Sequence, residues 1–128
     1  MAPSDVPPPL HDLESEVMQE LWSTGESPVR AVMESLNARA AKPRAYTTYM
    51  TIMSRLYAKG LLDRRREDRT DHYSPRYSRE QYAALRARAE AAQLVQQYGD
   101  VALASFAEEI AALDPARLRA LQRLARQG

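Results

Sequence analysis

The chain contains no cysteine, which excludes disulfide frameworks, thiolate metal sites and cysteine nucleophiles together. Histidine is almost as scarce: with only His11 and His72 available, a zinc site would need carboxylates in unusual company, and no metal is expected. No apolar run approaches the roughly 18 residues of a membrane span. The amino-terminal MAPSDVPPP lacks the basic and apolar regions of a secretory signal, so a cytoplasmic location is the expectation. A phosphate-binding glycine loop is missing, and so is an acid and base pair placed to share a cleft. Glu108 and Glu109 are adjacent and diverge on a helix, while Asp68 and Asp71 suit a turn. No set of residues nominates a reaction, so the expectation is a non-enzyme without cofactors.

What is present bounds the fold. The 128 residues, 45% of them hydrophobic, suffice for one ordinary domain, or a small domain with an appended segment, around a modest core. The net charge of +1 conceals a strong asymmetry. Residues 1–41 hold 2 basic and 7 acidic side chains, residues 42–79 hold 10 and 4, and residues 80–128 hold 6 and 6. Local rather than total charge sets the attraction for phosphate, so the central window points to a polyanion.

Along the chain, the first nine residues include four prolines and are expected to form an unstructured arm, residues 1–9. From Asp12 to Ser23, Leu13, Val17, Leu21 and Trp22 recur at helical spacing, with Glu14, Glu16 and Glu20 on the helix start and outer face; Gly25 closes this helix. Ser27 and Pro28 read as a cap and a first helical residue, opening a second helix to about Ala38 with Val29, Val32, Met33 and Leu36 as its apolar stripe. Pro43 marks a loop over 40–44. A third helix follows from about Tyr46 to Lys59. Tyr49, Ile52, Met53 and Leu56 share one face, leaving Thr47, Thr48, Thr51 and Arg55 on the other, and Gly60 is the stop.

Leu61 and Leu62 lead into a strand ending near Glu67, Asp68 to Thr70 make a turn, and residues 71–77 return as a second strand that Pro75 confines to an edge or an end. Ser78 to Gln81 matches a capping box, so a fourth helix runs from there to Tyr98, with Gly99 as its stop. Asp100 and Asp114-Pro115 begin two more.

A threonine-faced helix, a glycine stop and a basic hairpin, in that order, are how a winged helix-turn-helix presents itself to DNA. Threonine suits a major groove, because its hydroxyl can bond a phosphate or base edge while its methyl packs on thymine. Arg55 and Lys59 could anchor the backbone. Arg64, Arg65 and Arg66 alternate between the faces of a strand, and Arg69 at the tip could reach a backbone or minor groove. An ordinary solvated helix face and an arginine-protected sheet edge are the plainer readings of the same residues. The fold class is therefore mainly α with a small β-hairpin: a winged-helix domain over residues 10–78, then a helical region over 79–128.

Three runs carry a family resemblance: LESEVMQELW (Leu13 to Trp22), YTTYMTIMSRLYAKG (Tyr46 to Gly60) and RTDHYSP (Arg69 to Pro75). They resemble the penicillinase-repressor (BlaI/MecI) family of bacterial winged-helix regulators, over roughly residues 10–126. The resemblance implies a homodimer that binds a palindromic operator on double-stranded DNA and represses transcription. By this resemblance Thr47, Thr48, Thr51 and Arg55 take the groove-facing role and Arg69 the wing contact; Tyr46, Lys59 and Arg65, beside them on the helix and hairpin, complete the candidate DNA-binding set. It places the dimer in the carboxyl-terminal helices, where Val101, Phe106, Ile110, Leu113, Leu118 and Leu121 are apolar. It also implies release by a membrane sensor protease cutting before a phenylalanine; the matching bond joins Ser105 to Phe106, with serine where the best-known relatives have asparagine. The copper-responsive branch uses paired cysteines that this chain lacks.

The carboxyl-terminal apolar faces also stand as an argument by themselves. Leu85, Ala89, Ala92 and Val95, then Val101, Phe106, Ile110 and Leu113, then Leu118, Leu121 and Ala125 form separate stripes. Three short helices are hard pressed to bury all of them against one another, whereas a second subunit completes the burial; the simpler alternative is an intrachain bundle. Two other functions fit the same residues. One is a winged-helix module whose basic hairpin binds an acidic protein. The other is a small-molecule sensor with Trp22, Tyr82 and Tyr98 lining a pocket.

Overall fold

The computed structural model describes residues 6–127. The elements are α1 (Asp12–Thr24), β1 (Ser27–Pro28), α2 (Val29–Arg39), α3 (Tyr46–Ala58), β2 (Leu62–Glu67), β3 (Thr70–Pro75), α4 (Arg79–Tyr98), α5 (Asp100–Ala111) and α6 (Pro115–Gln127). The strands form one antiparallel sheet in the order β1-β3-β2. Chain contacts divide the protein into two compact units, the first ending at Ala87 and the second beginning at Arg88.

Helical periodicity builds the core of the first unit. Val17, Met18 and Leu21 from α1, Val29, Val32 and Leu36 from α2, and Tyr49, Met53 and Leu56 from α3 are buried together with Leu61, Leu62 and Tyr73 of the sheet. Each large apolar side chain so buried contributes on the order of 1.5–3 kcal/mol relative to exposure. Met33 and Ile52, assigned to the same stripes by spacing, lie partly buried at the margin of this cluster.

The end of α3 shows how sequence becomes geometry. Gly60 adopts a positive φ of 82°; its N–H donates to the Tyr57 carbonyl at 3.0 Å, and the Leu61 N–H to the Leu56 carbonyl at 2.9 Å. This closes the helix and drops Leu61 and Leu62 into the core. The capping box at α4 forms as its residues predict: the Ser78 N–H donates to Gln81 Oε1 at 2.8 Å, and the Gln81 N–H to Ser78 Oγ at 3.0 Å. At α6 the Arg117 N–H donates to Asp114 Oδ1 at 2.8 Å.

Two local expectations are corrected. Ser27 and Pro28 do not cap and open α2 but form β1, with Ser27 opposite Tyr73 and Pro28 opposite His72. Pro28 itself precedes the helix with extended backbone, which an edge strand tolerates because proline has no N–H to lose. Thr70 is not part of the turn; it pairs with Glu67, leaving a two-residue turn of Asp68 and Arg69. In the proline-rich arm, Pro7 is buried, Pro8 accepts a hydrogen bond from the Tyr82 hydroxyl at 3.0 Å, and Pro7 accepts one from Arg86 at 3.2 Å. Residues 1–5 of that arm lie outside the described residues. The same contacts, with Trp22 and Tyr82 ring centroids 5.6 Å apart, attach the first half of α4 to the first compact unit.

In the second unit Ala102 is the one buried hydrophobic residue among those described. Phe106, Leu113 and Leu118 are half-buried. Val101, Ile110, Leu121 and Leu124 expose 71%, 48%, 37% and 65% of their surfaces.

Glu14 ties α1 to the end of α3. It is 4% exposed, accepts from the His11 N–H at 3.1 Å through one oxygen, and pairs with Lys59 Nζ at 2.7 Å through the other. Burial pushes its carboxyl up, but the Lys59 and His11 hydrogen bonds and the ammonium charge outweigh this and hold it below the usual 4.5. A depressed carboxylate stabilises the fold above the unfolded pKa and loses that contribution as pH falls through the folded value. Glu14→Gln should therefore cost about 1–3 kcal/mol at neutral pH. The gap from the parent chain in urea unfolding should narrow as pH drops below about 4.5; a gap independent of pH would show that the charge is not what matters.

Candidate nucleic-acid interface

The site is built on α3 and on the hairpin of β2 and β3. With Tyr49, Met53 and Leu56 fixed in the core, the 100° step of the helix turns Thr47, Thr48, Thr51 and Arg55 outward, and all four are exposed. Tyr46 is exposed at the first helical position.

The loop before α3 is held by one side chain. Asn37, in the last turns of α2, donates from Nδ2 to the Arg44 carbonyl at 2.9 Å, while its Oδ1 accepts from the Arg44 N–H at 3.0 Å and from the Tyr49 hydroxyl at 2.7 Å. The buried Tyr49 ring thereby fixes the rotation of α3, and Asn37 fixes its entry.

The hairpin positions Arg69 by a different device. Asp68 and Arg69 both take positive φ, 52° and 66°, the geometry of a tight two-residue hairpin turn that glycine or asparagine usually fills. Holding arginine there costs backbone energy and projects its side chain from the tip. Among the described residues Arg69 and Arg55 have no ion-pair partner.

Other predicted contacts are engaged within the chain. Lys59 is held by Glu14. Arg65 bonds Glu26 at 2.6 Å and also pairs with Glu67, which anchors the hairpin to the segment between α1 and β1. Hydrogen bonds from Arg65 lower the carboxyls of Glu26 and Glu67, and its own pKa is raised by the same two partners. Arg66 pairs with Asp71 at 3.3 Å, and Arg76 with Asp63 at 2.9 Å. These pairs shape the hairpin; Arg69, Arg55 and the threonines are exposed and stand outside them.

Sequence reasoning did not single out Arg30, Met50 or Ser54, which share one cleft. A cleft of about 600 Å³ lies between α3 and the hairpin, and its walls include Arg30, Tyr46, Met50, Ser54, Arg64 and Arg69. The Arg30 guanidinium lies 5.6 Å from the Tyr46 ring centroid and that of Arg64 lies 4.1 Å from the Tyr57 centroid, so both cations are backed by aromatic faces. Arg30 is isolated in an acidic stretch, and Arg64 was one of three consecutive arginines. Met50 did carry a signal: it falls one turn from Tyr46 and Ser54, off the core stripe.

Of the residues considered for a ligand pocket, Trp22 donates its indole N–H to the Tyr77 carbonyl at 2.9 Å and packs on Tyr82, while Tyr98 is exposed. Among the described residues no group of histidines and carboxylates could hold a metal ion, and no helix is long and apolar enough to cross a membrane.

Three helices, a three-stranded antiparallel sheet and a hairpin beside the third helix define a winged helix. The penicillinase repressor family model matches residues 10–127, and the chain belongs to that family. Relatives described as the transcriptional regulator BlaI, in two strains of Mycobacterium tuberculosis, are 45% identical over 76 residues, 59% of this chain and 54% of theirs. The chain thus spans about half the length of the curated relatives it matches. The solution structure of the DNA-binding domain of the repressor BlaI is similar with a TM-score of 0.52 and 27% identity, covering 61% of this chain and 92% of that one. A structure of hsRosR-S1, at 17% identity and a TM-score of 0.50 over 82% of this chain and 96% of that one, shares the fold.

The Asn37 clamp predicts coupling. Asn37→Ala leaves the Tyr49 hydroxyl buried without its partner and should destabilise by about 1–3 kcal/mol. Adding Tyr49→Phe to that variant should cost much less than Tyr49→Phe alone in urea unfolding. Additive losses would show that the bond does not couple α2 to α3.

Proposed function

We propose that this chain is a cytoplasmic repressor that binds a palindromic DNA operator as a homodimer, reading bases with α3 and gripping phosphates with the hairpin. One observation carries it most: the threonine face of α3 and the unpaired Arg69 are exposed together on the same compact unit. Thr47, Thr48 and Thr51 offer short hydroxyls and methyls to base edges, and Arg55 and Arg69 offer charge to phosphates. Lys59 and Arg65 act behind them, holding α3 and the hairpin in place through Glu14 and Glu26.

The exposed Val101, Ile110, Leu121 and Leu124 support a dimer, since apolar surface of this extent in so small a unit is stabilised by a second copy. Phe106, Leu113 and Leu118 would complete that surface from their half-buried positions. A two-fold dimer doubles the phosphate contacts and sets the spacing of two half-sites. Release by cleavage between Ser105 and Phe106, by a membrane sensor protease, is part of the same reading. That bond lies inside α5, and the Ser105 hydroxyl donates to the Val101 carbonyl at 3.1 Å, so cutting requires α5 to open locally.

The test is selection of duplexes from a random pool by the full chain, followed by binding as a function of salt. Enrichment of an inverted repeat with a steep salt slope is expected; salt-sensitive binding without sequence preference would favour a module for acidic proteins. On the selected operator, Arg69→Ala should weaken specific and unrelated duplexes alike and reduce the salt slope by about 1. Thr48→Ala or Thr51→Ala should instead narrow the ratio between them by about fivefold. Equal behaviour of all three variants would refute the division of roles. Leu121→Asp should give a monomer in sedimentation with poor operator affinity, and a persistent dimer would remove Leu121 from the interface.

A further inference from the structure

The half of α3 that faces the hairpin is absorbed by none of these roles. Tyr46, Met50 and Tyr57 expose 41%, 42% and 37% of their surfaces, on a helix whose Tyr49, Met53 and Leu56 are wholly buried. Two of the three have a local explanation, because Tyr46 and Tyr57 back the guanidinium groups of Arg30 and Arg64. Met50 has none. It stands in the wall of the cleft beside Tyr46 and Ser54, opposite Arg64, Arg69 and Thr70 of the hairpin.

The chemistry of the cleft restricts its occupant. Arg30, Arg64 and Arg69 line it and call for negative charge, whereas the Met50 side chain and the carbon face of the Tyr46 ring offer apolar surface. An occupant must therefore carry regularly placed anionic groups and, within the same strand, an apolar group turned to the helix. A DNA strand does this where it contains thymine, whose 5-methyl is the apolar group that a base edge presents in the major groove. An acidic peptide supplies the charge without requiring an apolar contact at this one helix position.

We propose that Met50 is a specificity-determining residue: its side chain, beside Tyr46, packs on the 5-methyl group of a thymine in each half-site, while Arg30 and Arg64 take phosphates of that strand. This rests on the operator reading above. It adds an apolar recognition element to a helix face otherwise credited with hydroxyl chemistry, and it makes methionine the residue that fixes one base.

Uracil substitution tests it, because exchanging thymine for uracil removes the methyl and leaves the hydrogen-bonding edge intact. Each thymine of the selected operator is replaced in turn, and binding of the full chain is measured. At one thymine per half-site, uracil should weaken the parent chain by about three- to tenfold, the scale of one buried methyl group and its packing. Met50→Ala should bind the thymine and uracil duplexes equally at that position and keep the parent's response at all others. Met50→Leu should retain the preference. Because Met50 is exposed, Met50→Ala should unfold at the parent's temperature, so that loss of discrimination is not loss of fold. Indifference of the parent chain to every uracil, or an undiminished penalty in Met50→Ala, would overturn the assignment while leaving the operator reading standing. Failure to enrich any duplex would overturn the operator reading itself.

Discussion

The hydroxyl of Tyr49 is the constraint on which the recognition surface depends. The ring is wholly buried, so its polar end must find a partner inside the protein, and it finds Asn37 Oδ1 at 2.7 Å. A tyrosine fixed at both ring and hydroxyl gives α3 one rotation about its axis. Turning the helix by a single residue would swing it about 100°, carry threonine side chains toward the core and lift Tyr49 off its partner. At the far end, the Lys59 pair with Glu14 and the Gly60 turn set where the helix stops. The faces that α3 shows to solvent are thus consequences of what it buries.

The same logic turns a basic stretch into a graded surface. Residues 42–79 hold 10 basic side chains against 4 acidic, yet ion pairs engage Lys59, Arg65, Arg66 and Arg76. Exposed pairs contribute little to stability singly. Their larger effect here is geometric: the Arg65 bond to Glu26 joins two elements 39 residues apart and places the turn that carries Arg69. The left-handed backbone of Arg69 is tolerated because paired strands on both sides, from Glu67 opposite Thr70 onward, leave the two turn residues no other way to connect.

Periodicity made most of this fold legible. The core stripes of α1, α2 and α3 and the glycine and serine punctuation at Gly60 and Ser78 are local signals, and the structure follows them. What escaped was nonlocal. Ser27 and Pro28 read as a helix start until β3 supplies a strand for them to pair with. The pairs of Lys59 with Glu14 and of Arg65 with Glu26 join residues distant in sequence. The packing of Trp22 on Tyr82, which holds the first half of α4 to the first unit, cannot be seen from either residue alone. Met50 was the exception, since its offset from the core stripe and the hairpin were both visible, and only their approach across one cleft was not.

The proposed dimer follows from this economy of free charge. Once internal pairs are removed, each copy would offer Arg55 and Arg69, the tyrosine-backed Arg30 and Arg64, and Lys42 and Arg44 of the loop before α3, so one copy would neutralise about six phosphates. At about 0.9 in salt slope per phosphate, a single copy would hold its half-site weakly under physiological salt. Two copies joined through α5 and α6 make the second contact intramolecular and multiply affinity without a new residue at the DNA. Binding would then be controlled most effectively away from the DNA surface, because weakening the exposed apolar face around Val101, Ile110 and Leu121 removes the doubling while leaving every base contact of each copy intact.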